Sequence, residues 1–179
     1  MKKLHIFWVI VMACLLNIAP IMGQSTAKKN KVIADSKKAM AEFIKKDALM
    51  KGIFENAYGY AIFPNVGKGG LGIGGAAGNG VVYEQNTIVG MAKLSQLSIG
   101  FQAGGQAYRE VIFFESKNEL DRFKESRFEF SAQVSAVAVT EGASANVKYT
   151  DGVMVFTMQK GGLMYEASIG GQKFKFNKL

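Results

Sequence analysis

Histidine, cysteine and tryptophan each occur once in this 179-residue chain, and proline only twice. His5, Trp8 and Cys14 all fall within the first two dozen residues, so from Gln24 onward there is no thiol and no imidazole. That excludes a disulfide framework, a Ser-His-Asp triad, a thiolate nucleophile and histidine-ligated zinc. Paired carboxylates are the chemistry left for catalysis. Glu115, Glu119, Asp121, Glu125 and Glu129 do cluster, but Lys117, Arg122, Lys124 and Arg127 interleave with them. Such alternation marks a solvated, ion-paired face. Tyr108, Arg109 and Glu110 sit at a strand junction and are polar enough to line a site, although strand-end packing is the preferred reading. The inventory points to a protein without catalytic residues, metal or cofactor.

The first residues read as an address. Lys2 and Lys3 precede an uncharged run from Leu4 to Met22, and Gly23 closes it before a lysine-rich segment. A basic start, an apolar stretch and a small residue at the cut form the signal-peptide pattern, which predicts 1–23 as leader and 24–179 as the mature domain. A retained membrane anchor is one alternative. A lipoprotein is the other, because Val11-Met12-Ala13-Cys14 loosely resembles a lipobox, but the apolar run continues past Cys14 through Leu15, Leu16 and Ile18. The expected location is the periplasm or an envelope-membrane surface. The formal charge of +8 stays positive without Lys2 and Lys3, which suits an anionic surface.

Residues 28–58 contain no proline and carry Ile33, Met40, Phe43, Ile44, Met50, Ile53 and Phe54 at helical spacing, within an expected helical region of 24–58. Lys37, Lys38, Lys45, Lys46 and Lys51 fall largely between them, and Gly52 is the expected break between two helices. An ordinary amphipathic helix on a sheet explains this pattern. A helix that meets anionic headgroups, with Phe43, Ile44 and Phe54 available for insertion, explains it too. One apolar stripe cannot serve both core and membrane, so the stripe is expected to be mostly core and the lysines to carry attachment.

From residue 59 the period shortens. "SQLSIGFQAGGQ" alternates strictly and predicts a strand with Leu97, Ile99, Phe101 and Ala103 on the buried side. "YREVIFFE", "SAQVSAVAV", "VMVFTM" and "LMYEASIG" are further strands, with turns expected at Gly78-Asn79-Gly80, Asp151-Gly152 and Gly161-Gly162. Ser116 and Glu119 form a capping box for one short helix near 117–128. The stretch "FPNVGKGGLGIGGAAGNGVVYE", residues 63–84, satisfies G-x-G-x-x-G as a string. It is followed by a strand instead of a helix, and Gly67-Lys68 lacks the flanking residues of a P-loop, so a phosphate cradle is excluded. Repeated glycine then signals sheet curvature or close approach of another element, with a ligand groove as the alternative.

Three blocks carry a resemblance: "AYGYAIFPNVGKGGLGIGGAAGNGVVYE", "LSIGFQAGGQAYREVIFF" and "VFTMQKGGLMYEASIGG". In that order they resemble the SYLF domain, over roughly Ile33 to Phe176. The resemblance implies lipid binding through a basic amphipathic N-terminal region, to phosphoinositides in eukaryotic members, some of which also bind and bundle actin. It makes Lys37, Lys38, Lys45 and Lys46 headgroup candidates and matches Lys68 to the lysine entering the glycine-rich strand. Where family members often carry tryptophan and proline, this chain reads Asn86-Thr87-Ile88-Val89-Gly90-Met91.

The expected fold is a single α+β domain, its N-terminal helices packed on a strongly curved, mostly antiparallel sheet closing toward a barrel. The expected function is non-catalytic binding to an anionic phospholipid membrane, with Lys37, Lys38, Lys45, Lys46, Lys51 and Lys68 at headgroups. A non-catalytic envelope protein that binds a protein or polyanion partner is the alternative. Nucleic acid is not expected as a partner, since the basic residues have no interleaved aromatics. Intact mass of the exported protein tests the leader: cleavage predicts a start at Gln24, whereas a mass containing an acylated Cys14 contradicts it.

Overall fold

The computed structural model describes residues 20–71, 73–99, 105–160 and 169–179. Most of the apolar leader, with Trp8 and Cys14, lies outside the described residues, as do the turn at Gly161-Gly162 and most of "LMYEASIG". The chain divides into two compact units, Met1–Lys31 and Val32–Leu179. Of the first, the described part is helical from Pro20. The second holds the sheet.

Helix α1 (Pro20–Lys46) and helix α2 (Met50–Asn56) precede strands β1 (Gly59–Leu71), β2 (Ile73–Glu84), β3 (Thr87–Ile99) and β4 (Gly105–Phe114). Helix α3 (Lys117–Lys124), β5 (Ala136–Ala138), β6 (Val153–Gln159) and β7 (Gln172–Lys178) follow. Among the described residues the strands form one seven-stranded sheet in the order β5-β6-β4-β1-β2-β3-β7. Every pairing is antiparallel except the short parallel contact of β5 with β6. The fold is α+β as expected, and among the described residues the sheet curls without closing.

The curl follows from one distance. β4 and β7 stand four strand steps apart, about 19 Å in a flat sheet at ~4.8 Å per step. Yet Gln172 of β7 donates from Nε2 to Oε2 of Glu110 on β4 at 2.9 Å. The rings of Phe63 on β1 and Phe174 on β7 also meet, centroid to centroid, at 5.7 Å. These side chains define the concave face.

Both faces are buried, which is why the strands read as nearly continuous apolar runs. On the concave face Phe63, Leu94, Ile112, Phe114, Val155 and Phe174 pack with Leu120 and Phe123 of α3. On the convex face Tyr60, Ile62, Val81, Val111, Phe113 and Phe156 pack under Ala39 and Phe43 of α1 and Met50 and Phe54 of α2. The Ser36 and Tyr83 hydroxyls hydrogen-bond at 2.8 Å and tie α1 to β2. Helix α3 starts as its sequence suggests: Ser116 accepts from Asn118 N and donates to Glu119.

Several local expectations are corrected. The helical region breaks at residues 47–49, ahead of Gly52, because the buried Asp47 carboxylate accepts from Leu49 N, Ser144 N and Ser144 Oγ at 3.1, 2.9 and 2.7 Å. Desolvation pushes this carboxyl up, but those hydrogen bonds outweigh it and hold it below its ordinary value. "SQLSIGFQAGGQ" is not one strand: it contains the end of β3 and the start of β4, which are not neighbours in the sheet. Its facing is also reversed, with Leu97 76% exposed and Gln96 buried. Alternation inherited from buried Ala92 and Leu94 decides this. Finally β7, "QKFKFNK", lies outside the expected strands, although Gln172, Phe174 and Phe176 alternate in it.

Gly78-Asn79-Gly80 lies inside β2 and is no turn. The hairpin to β3 turns instead at Gln85-Asn86, both with positive φ (46° and 63°), and Asp151-Gly152 turns as expected. The glycines answer a bulge in β1, where Ile62 pairs with Val81 and Asn65 with Asn79, leaving two β1 residues opposite Gly80. A Cβ on Gly80 would stand 2.6 Å from both the Ile62 carbonyl oxygen and the Phe63 ring. Close approach therefore explains this part of the glycine-rich stretch. Gly80→Ala is expected to cost about 1–3 kcal/mol in denaturant unfolding. Gly67→Ala, whose Cβ would meet nothing within 4 Å, is expected to stay within about 0.5 kcal/mol. Equal effects would contradict the bulge explanation.

Candidate functional site

Lys37, Lys38, Lys45 and Lys46 are exposed on α1, while Ser36, Ala39 and Phe43 of the same helix are buried. At 100° per residue the four lysines cover about half the circumference, on the side away from the sheet. Among the described residues none of the four makes an ion pair. Lys51, on α2, is also exposed and stands 3.8 Å from Glu55. Two cations packed near the sheet are committed: Arg109 pairs with Glu42 of α1, and Lys124 with Glu84 at 2.6 Å. Lys45 and Lys46 lie in the last turn of α1, where positive charge opposes the partial negative charge of the unpaired carbonyls.

Lys68 is not part of this group. Its register partners are Ala76 and Gln106, and Ala76 belongs to the concave core, so Lys68 lies on the opposite face of the sheet, half-buried.

The proposed insertion residues are corrected by burial. Phe43 and Phe54 are 0% and 3% exposed within the convex core, so insertion would empty the sites they fill. Ile44 is partly buried against the same cluster. Leu49, by contrast, is 52% exposed between the two helices and lies in sequence beside Lys45, Lys46 and Lys51. It borders a cavity of about 430 Å³ shared with Ile53, Ala57, Val147, Tyr149 and Met154. Sequence reasoning missed it because helical spacing does not reveal where a helix ends.

A second constellation lies on the concave face. Tyr108 and Glu110 of β4 and Gln172 of β7 are all buried, with Glu110 fully inaccessible. Gln159 of β6 is the register partner of Tyr108, so it shares that face. The Glu110–Gln172 hydrogen bond is the link already described. Glu110 Oε1, Gln159 Oε1, Gln172 Oε1 and the Tyr108 hydroxyl are buried without a hydrogen-bond partner among the described residues. Burial pushes the Glu110 carboxyl up to about 7, with the Gln172 hydrogen bond pulling the other way. Burial and then the charge of Glu110 raise the Tyr108 phenol, while the nearby Gln172 amide, outside hydrogen-bond geometry, pulls it the other way. The sequence flagged Tyr108 and Glu110 as polar at a junction, but nothing local ties them to Gln172, sixty-odd residues later. Among the described residues there is no group of three or more His, Cys, Asp or Glu side chains suited to a metal ion. No described helix is long and apolar enough to cross a membrane.

The chain's relatives fit the earlier resemblance. Residues 95–178 match the family model Ysc84, described as Las17-binding protein actin regulator. Among curated proteins, "Beta cell expansion factor A" of Aeromonas veronii is 29% identical over 163 residues, covering 88% of this chain. The aligned part spans 61% of that relative's own length.

The raised Glu110 carboxyl has a definite sign in stability. An acid whose folded pKa lies above its unfolded value keeps its proton in the fold after the unfolded chain has lost it. Stability therefore falls as pH rises from the ordinary value of 4.5 to about 7, then levels. The full excursion is about 3 kcal/mol. Glu110→Gln should lack this dependence, melting with the wild type near the lower limit and above it at the upper. Parallel melting-temperature profiles would contradict the assignment.

Proposed function

From the match of residues 95–178 to the Ysc84 (SYLF) family model, we propose that the chain is a non-catalytic, exported protein that attaches to anionic membrane surfaces. The observation that carries the reading is the exposed, unpaired lysine face of α1, opposite its buried stripe. Lipid binding by some members of the family supports it. Physically, each lysine near an anionic bilayer contributes roughly 1 kcal/mol, and the effect fades within a Debye length. Lys37, Lys38, Lys45 and Lys46 supply that term, with Lys51 a fifth contributor. Leu49 adds a small apolar term where Phe43 and Phe54 are committed to the core. In this reading the periplasm or an envelope-membrane surface is where the protein acts.

Replacing Lys37, Lys38, Lys45 and Lys46 together by glutamine leaves the core untouched, because all four side chains are exposed. Co-sedimentation of this variant with anionic vesicles should be weakened by at least about tenfold, the change expected from losing more than 1.4 kcal/mol. Binding equal to the wild type would remove the lysine face as the attachment site.

A further inference from the structure

The polar cluster inside the curl has no role in attachment by α1, which lies on the other face of the sheet. It is also unusual for a core. Roughly nine in ten buried polar groups are satisfied, yet here three acceptor oxygens and one hydroxyl on three strands find no partner among the described residues. Leaving such groups unpaired forfeits their hydration with nothing in return. Two chain segments distant in sequence bring them together, through the Gln172–Glu110 hydrogen bond.

The chemistry of the unpaired atoms selects a ligand. Glu110 Oε1, Gln159 Oε1 and Gln172 Oε1 can only accept while Glu110 is ionised, and the Tyr108 hydroxyl can accept as well. An anion finds no donor in this set beyond that hydroxyl. A quaternary ammonium has no N–H to offer and calls for aromatic faces. A primary ammonium carries three N–H donors and one positive charge, and the cluster offers three acceptor oxygens and one carboxyl to balance the charge. We propose that Glu110, Gln159, Gln172 and Tyr108 form a binding site for a primary ammonium group.

Two sources share this chemistry: a free small amine, and the ethanolamine end of a zwitterionic phosphate headgroup. Lys68 bears on the choice. It lies on the same face as the cluster, half-buried, opposite exposed Gln106 of β4. A cation there would repel a free amine but would hold the phosphate of a headgroup. The site does not depend on the membrane reading, since neither α1 nor its lysines contribute to it.

The test uses the full chain with ¹³C-labelled glutamate, following melting temperature and the Glu110 carboxyl resonance near pH 6. The probes are ethanolamine, glycerophosphoethanolamine, choline and ethylene glycol at matched ionic strength. A saturable rise in melting temperature with ethanolamine is expected, together with a shift of the Glu110 resonance to its ionised position. Choline and ethylene glycol should do neither. Glu110→Gln should abolish the response, and Tyr108→Phe should weaken it without moving the ionisation of Glu110 in the free protein to that of an exposed carboxyl. A response to glycerophosphoethanolamine that drops at least tenfold in Lys68→Gln assigns the headgroup; a response to ethanolamine alone assigns a free amine. No saturable response to either amine, or an equal response to choline, overturns the proposal.

Discussion

The sheet's curl is the constraint on which the rest of the structure depends. A flat sheet of these strands would keep β7 far from β4 and leave Phe174 without the rings of Phe63 and Phe123. Curled, it turns one face into an enclosed core capped by α3, and offers the other as a platform for α1 and α2. The bulge in β1, with glycine opposite it, is a local device that allows such bending, because the extra residue increases twist where the partner strand carries no side chain. The Glu110–Gln172 link is then both consequence and marker of the curl.

Two faces permit two separate uses. On the convex side α1 gives its apolar stripe to the protein and its lysines to solvent, which resolves the competition between core and membrane in favour of the core. Burying a phenylalanine is worth about 1.5–3 kcal/mol, so pulling Phe43 and Phe54 out to reach a bilayer would gain little over leaving them in place. Attachment in the proposed reading is therefore mainly electrostatic. The buried Asp47–Ser144 contact fixes the corner between α1 and α2, and with it the position of Leu49.

Much of this was legible in the sequence, and the failures have physical causes. The helical stripe of Phe43, Met50 and Phe54, the capping box at Ser116, β6 and the α+β class followed from periodicity and capping chemistry. The break after Lys46 was misplaced at Gly52 because the actual stop is a tertiary hydrogen bond to Ser144, almost a hundred residues away. Gly78-Asn79-Gly80 looked like a turn because glycine serves tight turns and close approaches equally well; only the bulge opposite distinguishes them. Alternation within its own window places Leu97 in the core, whereas the facing of β3 is set further back by Ala92 and Leu94. The lysines of α1 are legible from helical spacing, but Lys68 lies across the sheet from them, a separation that spacing does not show. The concave cluster stayed hidden for the same reason: its members meet only because the sheet curls.

Vesicle co-sedimentation of the wild-type protein at low and high salt tests the membrane account most directly, with neutral and anionic bilayers compared side by side. The lysine face predicts binding to anionic vesicles alone, declining steeply as salt screens the exposed charges. Binding to neutral vesicles that is as strong and indifferent to salt would contradict it, and so would no binding to either.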